Sequence, residues 1–484
     1  MPRPIPGRAW SVPAGHGRLQ KWHAHLTEPR IYSAEEHGID AARIDPDAAR
    51  VVRRLKEHGY DAYIVGGAVR DLLLGRKPKD FDVATSATPD QIRKTFRNSR
   101  IIGRRFQIAH VFFRNRKIIE VSTFRREPKK GEPEVEQANN EWGTAEDDAR
   151  RRDLTINAFF LDPDDATVVD YIDGMADLEA RTVRIIGDPT ERFIEDPIRM
   201  IRAIRHAART GFLIEPETWD SICANRALIA ECNESRIRQE FVREFQEGAA
   251  ARSVKLLWRS GLLEYLLPEY HEFLEHLHSR PEQKRTYWKL LRLLDREGAE
   301  QDLPATLIFA TALGPAIVPE LLAVFQEDAD MRIELLQDQI LPYLRAVGIP
   351  KALAEPLSQT LYAQPRLDRA RRNGQVPKRL RSKSYFGLAM HLFLLRHQAI
   401  GSMIPESWQE NAPPPEDLRE HRDAARSSRR RGRGGRGNRG NKAQEAAPSS
   451  EAAPPPDNAP TDDKPKRSRR RRRRPRKRSS SEQS

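Results

Sequence analysis

The sequence predicts an α+β protein with three parts: a small head domain that contains a sheet, an all-helical region, and a disordered tail. Between residues 46 and 125, short apolar stretches typical of strands alternate with amphipathic helical patterns. Beyond Pro189, nearly every apolar pattern has helical spacing. From Pro405 the composition shifts to Pro, Arg, Gly and Ser, which cannot form a packed core.

Composition supports this division. The chain has 484 residues, of which 38% are hydrophobic and 32% are charged. The net charge is +14, and residues 421–484 hold 21 Lys and Arg against 7 Asp and Glu. The tail therefore carries the whole excess charge, and any basic patch on the folded part must come from local clustering of arginine and lysine.

Two protein classes are excluded by the residues that the chain lacks. Cys223 and Cys232 are too few for a disulfide framework or a zinc site, which fits a reducing cytoplasm. No apolar run approaches the ~20 residues needed to span a bilayer, and the first ten residues contain no apolar segment typical of a signal peptide. We therefore expect a cytoplasmic protein without a membrane partner.

The head elements follow in chain order. Asp45 or Asp47 can cap a first helix, which Gly59 ends. The elements predicted after it are a strand at 61–67, a helix at 68–75, a strand at 79–85, a helix at 88–96, and paired strands at 107–113 and 117–124. Because of their apolar setting, His110 and the aromatic residues Phe106, Phe112 and Phe113 are expected to lie in the core.

Two aspartates in the strand at 79–85 indicate a metal site. Asp80 and Asp82 project to the same face of a strand, while Phe81 turns into the core. The two carboxylates repel each other unless a cation sits between them, and oxygen ligands suit Mg²⁺. Two such ions, ~3.5–4 Å apart, activate an attacking oxygen and stabilise a leaving one. Glu120, on a later strand, can share this face as a third ligand.

Paired glycines before the helix at 68–75 indicate a phosphate site. Gly66 and Gly67 let the backbone approach a phosphate, the helix directs its N–H groups toward it, and Arg70 can add a charge-assisted contact. Taken singly, these signals also fit an ordinary turn and a surface strand. Their order suits nucleotidyl transfer, in which a 3′-hydroxyl attacks the α-phosphate of a nucleoside triphosphate and pyrophosphate leaves.

Five motifs, within about residues 50–265, together resemble those of the class II nucleotidyltransferases, the bacterial poly(A) polymerases and the tRNA CCA-adding enzymes. They read VGGAVRDLLLG…KDFDVAT, RRRDLTINAFF, VVDYIDGMADL, RIIGDP and EDPIRMIRAIRHAARTGF. The resemblance implies a head sheet that carries the carboxylates, followed by helical regions. The implied parts are an extension at 1–45, a nucleotidyltransferase head at 46–190, a neck that contacts the base and RNA at 191–265, a body at 266–404, and a basic RNA-binding tail at 405–484.

The same resemblance implies roles for individual residues. Asp80 and Asp82 match the family's metal-binding pair. Arg151, Arg152 and Asp153 match its RRD motif, which lies at the ribose and phosphates and contributes Asp153 to the active site. Two arginines suit a triphosphate, and an aspartate beside them can accept a hydrogen bond from a ribose hydroxyl.

A template for the incoming base is implied further along the chain. Asp196 and Arg199 match the family's EDxxR motif, and a spacing of three places them side by side on a helix. Asp accepts from an exocyclic amine and Arg donates to a ring nitrogen, which suits adenine. Residues 234–241 match the neck motif that supports this helix. His206 replaces a more usual aromatic residue and is expected to pack or lie at the surface.

Simpler structural roles remain open for several of these residues. Arg151 and Arg152 can form ion pairs with nearby acids, and Asp196 can cap the helix that begins near Pro197. Thr155 and Asn157 can hold the loop after Asp153. The acids available to the two arginines are Glu146, Asp147 and Asp148.

The segment at 101–113 and the Arg-rich tail favour the poly(A) polymerase branch of the family. The expected reaction adds AMP from ATP to RNA 3′ ends with Mg²⁺, and the resemblance implies that such tails promote RNA decay, so that decay machinery is a candidate partner. The tail is expected to bind RNA through its charge, in a salt-dependent way. The alternatives are a CCA-adding enzyme and an RNA-binding protein on an inactive transferase scaffold.

Overall fold

The head is built on one eight-stranded mixed sheet. In the computed structural model its strands are β1 Arg30–Tyr32, β2 Ala62–Val65, β3 Asp82–Thr85, β4 Ser99–Ile102, β5 Ile108–Phe112, β6 Ile118–Thr123, β7 Phe159–Leu161 and β8 Val168–Asp170. Their order across the sheet is β1-β8-β7-β2-β3-β6-β5-β4. β3 and β6 pair in parallel, and the other neighbours are antiparallel. A separate parallel pair joins β9 Thr182–Val183 to β10 Leu213–Ile214.

The structure describes most of the chain up to residue 409. The described residues are 28–103, 107–126, 142–233, 236–237, 240, 243, 245, 248–324, 340–341, 344 and 349–409. The predicted loop at 126–142 lies almost entirely outside this part, as do Phe106 and nearly all of the predicted tail.

The predicted α+β class is confirmed, and four of the head strands were predicted. β2, β3, β5 and β6 lie within the predicted strands. β4 was missed. β1, which was also missed, lies inside the predicted extension at 1–45 and pairs with β8, so that Arg30 lies opposite Asp170. This part of the extension is therefore an edge of the head sheet.

The helices of the head follow sequence signals for their ends. Asp45 caps the helix Pro46–Glu57 by accepting hydrogen bonds from the backbone N–H groups of Asp47 and Ala48, at 2.9 and 3.1 Å. Thr88 caps the helix Pro89–Thr95, as predicted. The remaining helices up to residue 180 are Ala34–His37, Gly67–Leu73, Ala145–Arg150 and Gly174–Glu179.

Helices dominate the chain after the head. Ile198–Thr210, which we call the template helix, ends at Gly211, whose positive φ of 83° suits glycine. The other helices are Pro189–Glu195, Pro216–Asn225, Ala250–Arg259, Leu262–Leu266, Pro268–His276, Pro281–Glu300, Ala305–Ala312, Gly314–Ile317, Lys351–Arg372, Lys378–Arg381, Phe386–Ile400 and Glu406–Gln409. Short 3₁₀ helices lie at Ala41–Arg43, Arg114–Arg116, Thr155–Asn157, Arg226–Glu231, Leu277–Ser279 and Pro319–Leu322.

The two faces of the sheet are packed differently. Ile64, Val83 and Val121 point to one face and join a large apolar core that continues into the helices. Val65 and Phe160 point to the other face, where a smaller apolar cluster covers only part of the sheet. The functional residues described below lie on this second face or beside it.

The fold reaches further along the chain than predicted. Trp408 is 3% exposed, and its ring lies 5.4 Å from that of Phe393. The predicted start of the disordered tail at residue 405 is therefore too early. Among the described helices, none is both long and apolar enough to cross a membrane.

Candidate active site

A cavity of about 520 Å³ lies between the head sheet and the template helix. This volume is typical of sites for small molecules, ~300–1,000 Å³. The described residues that line it include seven arginines and five carboxylates: Arg125, Arg151, Arg152, Arg199, Arg202, Arg205, Arg236, Asp82, Asp148, Asp153, Asp196 and Glu240. Although the positive and negative charges of residues 1–420 balance, arginines are thus clustered locally at this cavity.

Gly66 and Gly67 form one end of the cavity. Gly66 has φ +74° and ψ −140°, a conformation open to glycine alone at little cost. A Cβ at this position would lie 3.4 Å from Nη1 of Arg152. The backbone between β2 and the helix Gly67–Leu73 therefore runs directly along the cavity, close to an arginine of the RRD motif.

Asp82 is the first residue of β3, and it lies in register opposite Glu120 of β6. Its carboxyl is accessible to solvent but recessed. Desolvation there, followed by the negative charge of Glu120, raises the pKa of Asp82 to about 6, although the charge of Arg152 acts in the opposite direction. Asp80 precedes the strand, is exposed, and adds a smaller increase to the same pKa.

This set of carboxylates fits a divalent cation, because the mutual repulsion that raises the pKa of Asp82 would be relieved by positive charge. It is not a preformed cage. Among the described residues, no three His, Cys, Asp or Glu side chains are arranged as metal ligands. The half-exposed carboxylate of Glu120 instead lies 3.3 Å from Nε2 of His110.

Asp153 is held tightly beside the template helix. Nε of Arg202 donates to its Oδ2 at 2.6 Å, and Nδ2 of Asn157 donates to its Oδ1 at 3.4 Å. Burial would raise the pKa of Asp153, but the positive charge of Arg202 and these hydrogen bonds hold it well below its usual range. Asp153 is therefore an ionised acceptor at the cavity wall. The expectation that Asn157 holds the loop after Asp153 is confirmed, and the Thr155 hydroxyl donates to Asp177 at 2.8 Å.

Arg70 was expected to contact the triphosphate, and its position corrects that expectation. Its side chain is fully buried beneath the cavity. The guanidinium donates to Oδ1 of Asn157 at 2.6 Å and pairs with Asp71 at 2.9 Å. Nδ1 of His206 accepts a further hydrogen bond from it at 3.1 Å. A guanidinium enclosed in this way supports Asn157, which in turn contacts Asp153.

His206 was expected either to pack in the interior or to lie at the surface, and it packs in the interior. It is 5% exposed. Burial, followed by the positive charges of Arg70 and Arg205, lowers the pKa of His206 well below its ordinary value. The imidazole is therefore neutral near pH 7, which allows its Nδ1 to accept the hydrogen bond from Arg70.

The two arginines of the RRD motif both line the cavity. Arg152 pairs with Asp148 at 2.9 Å, and its guanidinium lies 5.2 Å from the ring centroid of Phe160. Arg152 therefore forms the structural ion pair considered for it and also lines the cavity. Arg151 follows the helix Ala145–Arg150, and its carbonyl accepts a hydrogen bond from Arg192 at 2.9 Å.

The predicted base-reading pair lies on one wall of the cavity. Asp196 Oδ2 accepts from Arg236 at 2.8 Å, and its Oδ1 accepts from the backbone N–H of Ile198 at 3.4 Å. Arg199 donates to Glu195 at 2.8 Å and to the carbonyl of Arg192 at 3.0 Å. The template pair is therefore fixed in place by residues before and after it in the chain.

Several cavity residues were not predicted individually. Glu240 of the neck motif pairs with Arg205 at 3.1 Å and lies 3.6 Å from Arg202, and Arg236 pairs with Asp196. The motif at 234–241 thus contacts the template helix through these described residues. The spacing of Arg199, Arg202 and Arg205 at three-residue intervals was a signal that could have identified a basic face on this helix.

Comparisons with known proteins agree with this geometry. The chain matches the family model of the poly A polymerase head domain over residues 62–184. It also matches the model described as the probable RNA and SrmB- binding site of polymerase A over residues 211–274. Poly(A) polymerase I of Escherichia coli O6:H1 is 35% identical over 381 residues, which cover 76% of this chain and 81% of that protein.

CCA-adding enzymes are also similar to this chain. That of Bacillus licheniformis is 36% identical over 219 residues, which cover 45% of this chain and 55% of the enzyme. The crystal structure of the Bacillus stearothermophilus CCA-adding enzyme in complex with CTP superimposes with a TM-score of 0.57 at 27% identity, over 79% of this chain and 83% of that one.

The fold, the cavity and these similarities define a nucleotidyltransferase. The chain belongs to the family that contains the bacterial poly(A) polymerases and the CCA-adding enzymes. The resemblance noted in the sequence is therefore confirmed. Enzymes of this family generally use divalent metal ions.

Proposed function

We propose that this nucleotidyltransferase polyadenylates RNA, transferring AMP from ATP to a 3′-hydroxyl with release of pyrophosphate. The observation that carries the proposal is that Gly66, Asp82, Arg152 and Asp153 line the same cavity as residues of the template helix. It offers groups for a triphosphate, a ribose and a base within one enclosure. Similarity to poly(A) polymerase I over 81% of that protein's length favours RNA polyadenylation.

Asp80, Asp82 and Glu120 are proposed to hold Mg²⁺. When bound there, the metal would lower the pKa of the attacking hydroxyl and stabilise charge on the transferred phosphate. The chain's own contribution is to place two opposed carboxylates, Asp82 and Glu120, on adjacent parallel strands at the edge of the cavity.

The triphosphate is proposed to lie along Gly66 and Gly67, facing Arg151 and Arg152. The glycine backbone lets it approach closely, and the guanidinium groups supply positive charge. Asp153 accepts a hydrogen bond from the ribose, since Arg202 keeps its carboxylate ionised and oriented. Arg70 acts indirectly, by holding Asn157 beneath this site.

Asp196 and Arg199 are proposed to select adenine. A carboxylate accepts from the exocyclic amine, and a guanidinium donates to a ring nitrogen. The ion pair between Asp196 and Arg236, together with that between Arg199 and Glu195, restrains both side chains before a base arrives. This preorganisation favours a base that matches their fixed donor and acceptor pattern.

RNA is proposed to be held without sequence preference by the helical region and by the basic tail. Removing the tail after residue 409 should weaken RNA binding and reduce its dependence on salt, because fewer counterions are released on binding. The products would mark RNA for decay, which makes decay machinery a proposed partner.

A CCA-adding enzyme is the second candidate, favoured by the similarity to CCA-adding enzymes in sequence and fold. The two candidates share the proposed catalytic residues and differ in nucleotide and RNA substrate. The test is single-nucleotide extension with Mg²⁺ and ATP, CTP, GTP or UTP offered separately. One primer is an unstructured RNA, and the other is a tRNA that lacks its terminal CCA.

Long ATP-dependent tails on the unstructured RNA are the result that the proposal predicts. CTP incorporation confined to the tRNA, and ending after a few nucleotides, would transfer the assignment to CCA addition and leave the site roles unchanged. No incorporation on either primer would contradict both candidates and favour an RNA-binding role on an inactive scaffold.

A further inference from the structure

The outer face of strands β4, β5 and β6 is open to solvent next to the proposed metal site. On β5 and β6, alternate residues such as Val111 and Val121 are fully buried in the main core. Phe112 and Ile118 point the other way and are 41% and 42% exposed. The expectation that His110 and Phe112 lie in the core is therefore wrong. We call this surface, formed by Arg100, His110, Phe112 and Ile118, the open face.

The strand register connects the open face to the active site. Asp82, Glu120, His110 and Arg100 are successive partners across β3, β6, β5 and β4. Adjacent strands lie about 4.8 Å apart, so the row extends roughly 14 Å from Asp82. Phe112 and Ile118 form the next outward-facing pair, directly opposite each other.

The open face begins where the nucleotide cavity ends. Ile108 and Ser122, which are partners on the far side of the Glu120–His110 pair, line the cavity. His110, Glu120 and Phe112 are not among the residues that line it. One continuous face of the sheet therefore carries the cavity, then the carboxylate of Glu120, and then the open face.

The chemistry of the open face suits a single-stranded nucleic acid. The rings of His110 and Phe112 lie edge to face, with centroids 6.5 Å apart. Arg100 borders them on β4, and Arg114 and Arg116 border them in the turn between β5 and β6. All three arginines are exposed, and none of them forms an ion pair with another described residue. Exposed rings that stack on bases, set among cations that contact phosphates, are the features of such binding sites.

We propose that the open face seats the last two nucleotides of the RNA primer, with bases stacked on Phe112 and His110 and phosphates at the bordering arginines. This rests on the proposed function, which requires the primer's 3′-hydroxyl to reach Asp82 and Glu120. The groups assigned to the triphosphate, ribose and base lie on the β2 and template-helix side of those carboxylates. The primer then approaches over the opposite side, where β6, β5 and β4 continue the same face.

The first test is photocrosslinking with the wild-type full-length chain. The probe is an unstructured RNA primer with 5-iodouridine at its last or next-to-last position, irradiated in the presence of Mg²⁺. Crosslinks to Phe112 or His110, located by peptide mass spectrometry, are expected. Crosslinks found only on the helical region, with the primer still extended, would overturn the proposal.

The second test is the kinetic effect of Phe112→Ala. Stacking losses of this kind raise the KM for the RNA primer about 5- to 150-fold, while the KM for ATP and kcat at saturating RNA stay unchanged. Phe112→Trp should restore the wild-type KM for RNA. The matched control is Ile31→Ala, because Ile31 is 64% exposed on β1 at the opposite edge of the sheet. It should leave both KM values unchanged.

The two tests separate this proposal from the proposed function. Extension by the wild type with an unchanged KM for RNA in Phe112→Ala would overturn the primer site alone, and would leave the open face to a protein partner. A wild type that crosslinks at Phe112 yet extends no primer would contradict the polyadenylation proposal while supporting the RNA site. Thermal melting of Phe112→Ala checks that the variant is folded.

Discussion

Two clusters in this chain combine an aspartate, an arginine and a histidine, and their surroundings differ. The cavity cluster is Asp153, Arg202 and His206, and it lines the proposed nucleotide site. The enclosed cluster is Asp368, Arg396 and His397, in the helical body. Asp368 lies 2.7 Å from His397 and 3.4 Å from Arg396, and all three side chains are completely shielded from solvent.

The comparison shows that residue type alone does not identify a functional site. Arg396 donates to the carbonyls of Leu321 and Ala323, each at 2.9 Å, and to Gln364 at 3.0 Å, so it joins several segments of the body. Arg202 instead fixes Asp153 at a wall that a ligand can reach. The enclosed cluster has a structural role, and the cavity cluster has groups available for a substrate.

The largest effect on activity is expected from the carboxylates at the cavity edge. Asp82→Ala should reduce AMP transfer at least about a thousandfold, because several kcal/mol of transition-state stabilisation depend on the ligands of the metal. RNA binding should be unchanged. Radioactive extension assays and filter binding measure the two properties. Near-normal transfer by the variant would contradict the role given to Asp82.

Substitutions in the enclosed cluster should lower the stability of the fold and leave the rate of AMP transfer per folded molecule unchanged. Asp368→Ala leaves Arg396 buried without its carboxylate, and we expect a loss of about 3–5 kcal/mol in the free energy of unfolding. Denaturant titration measures this loss. Asp164→Ala is the control, because its ion pair with Arg53 is at the surface and contributes under about 1 kcal/mol. If kcat per folded molecule were lower in Asp368→Ala than in the wild type, the purely structural role given to the enclosed cluster would be wrong.

The cavity cluster should show the reverse behaviour. Asp153→Asn keeps the shape of the side chain but loses the ionised acceptor, and we expect transfer to fall about 100- to 1,000-fold. The melting temperature should change little in comparison with Asp368→Ala. Single-turnover kinetics at saturating ATP, together with calorimetry, test both parts. Loss of folding without loss of specific activity would assign Asp153 a structural role.

The smallest effect concerns the buried histidine of the cavity cluster. The folded pKa of His206 is lowered, so below pH 6.5 the unfolded chain binds a proton that the folded chain does not, and stability falls as pH falls. His206→Phe removes this contribution. Between pH 7 and pH 5, the variant should lose less stability than the wild type, as measured by denaturant titration at each pH. Equal losses would show that His206 is protonated in the fold.

Four head strands were predicted from short apolar stretches, such as those that contain β2 and β5. In the structure, the residues of β5 and β6 alternate between the core and the other face, since Val111 and Val121 are buried while Phe112 and Glu120 are not. β1 spans three residues, all at least partly exposed, and is held by pairing with β8, so no local pattern could predict it. The same patterns could not show that Phe112 is exposed, because exposure depends on what packs against a strand.

Motifs in the sequence predicted several residues that line the cavity. They could not predict which side chains are buried by the surrounding structure, or which distant segments contact the site. Asp196 and Arg199 both line the cavity, but the expectation that they share one helix is wrong, because Asp196 lies in extended backbone between the helices Pro189–Glu195 and Ile198–Thr210. Arg70 belongs to an equally suggestive motif but is buried beneath the cavity, against Asn157. Glu240 reaches the site through ion pairs with the template helix, a contact between distant segments that spacing does not encode.

The most direct test of nucleotidyl transfer by this chain follows the phosphates of ATP in the wild-type reaction. The full-length chain is incubated with Mg²⁺, an unstructured RNA primer, and ATP labelled at either the α- or the γ-phosphate. We predict α-label in the RNA, γ-label only in pyrophosphate, and no product from a primer that ends in a 3′-deoxynucleotide. γ-Label in the RNA, or equal labelling of the 3′-deoxy primer, would contradict this prediction.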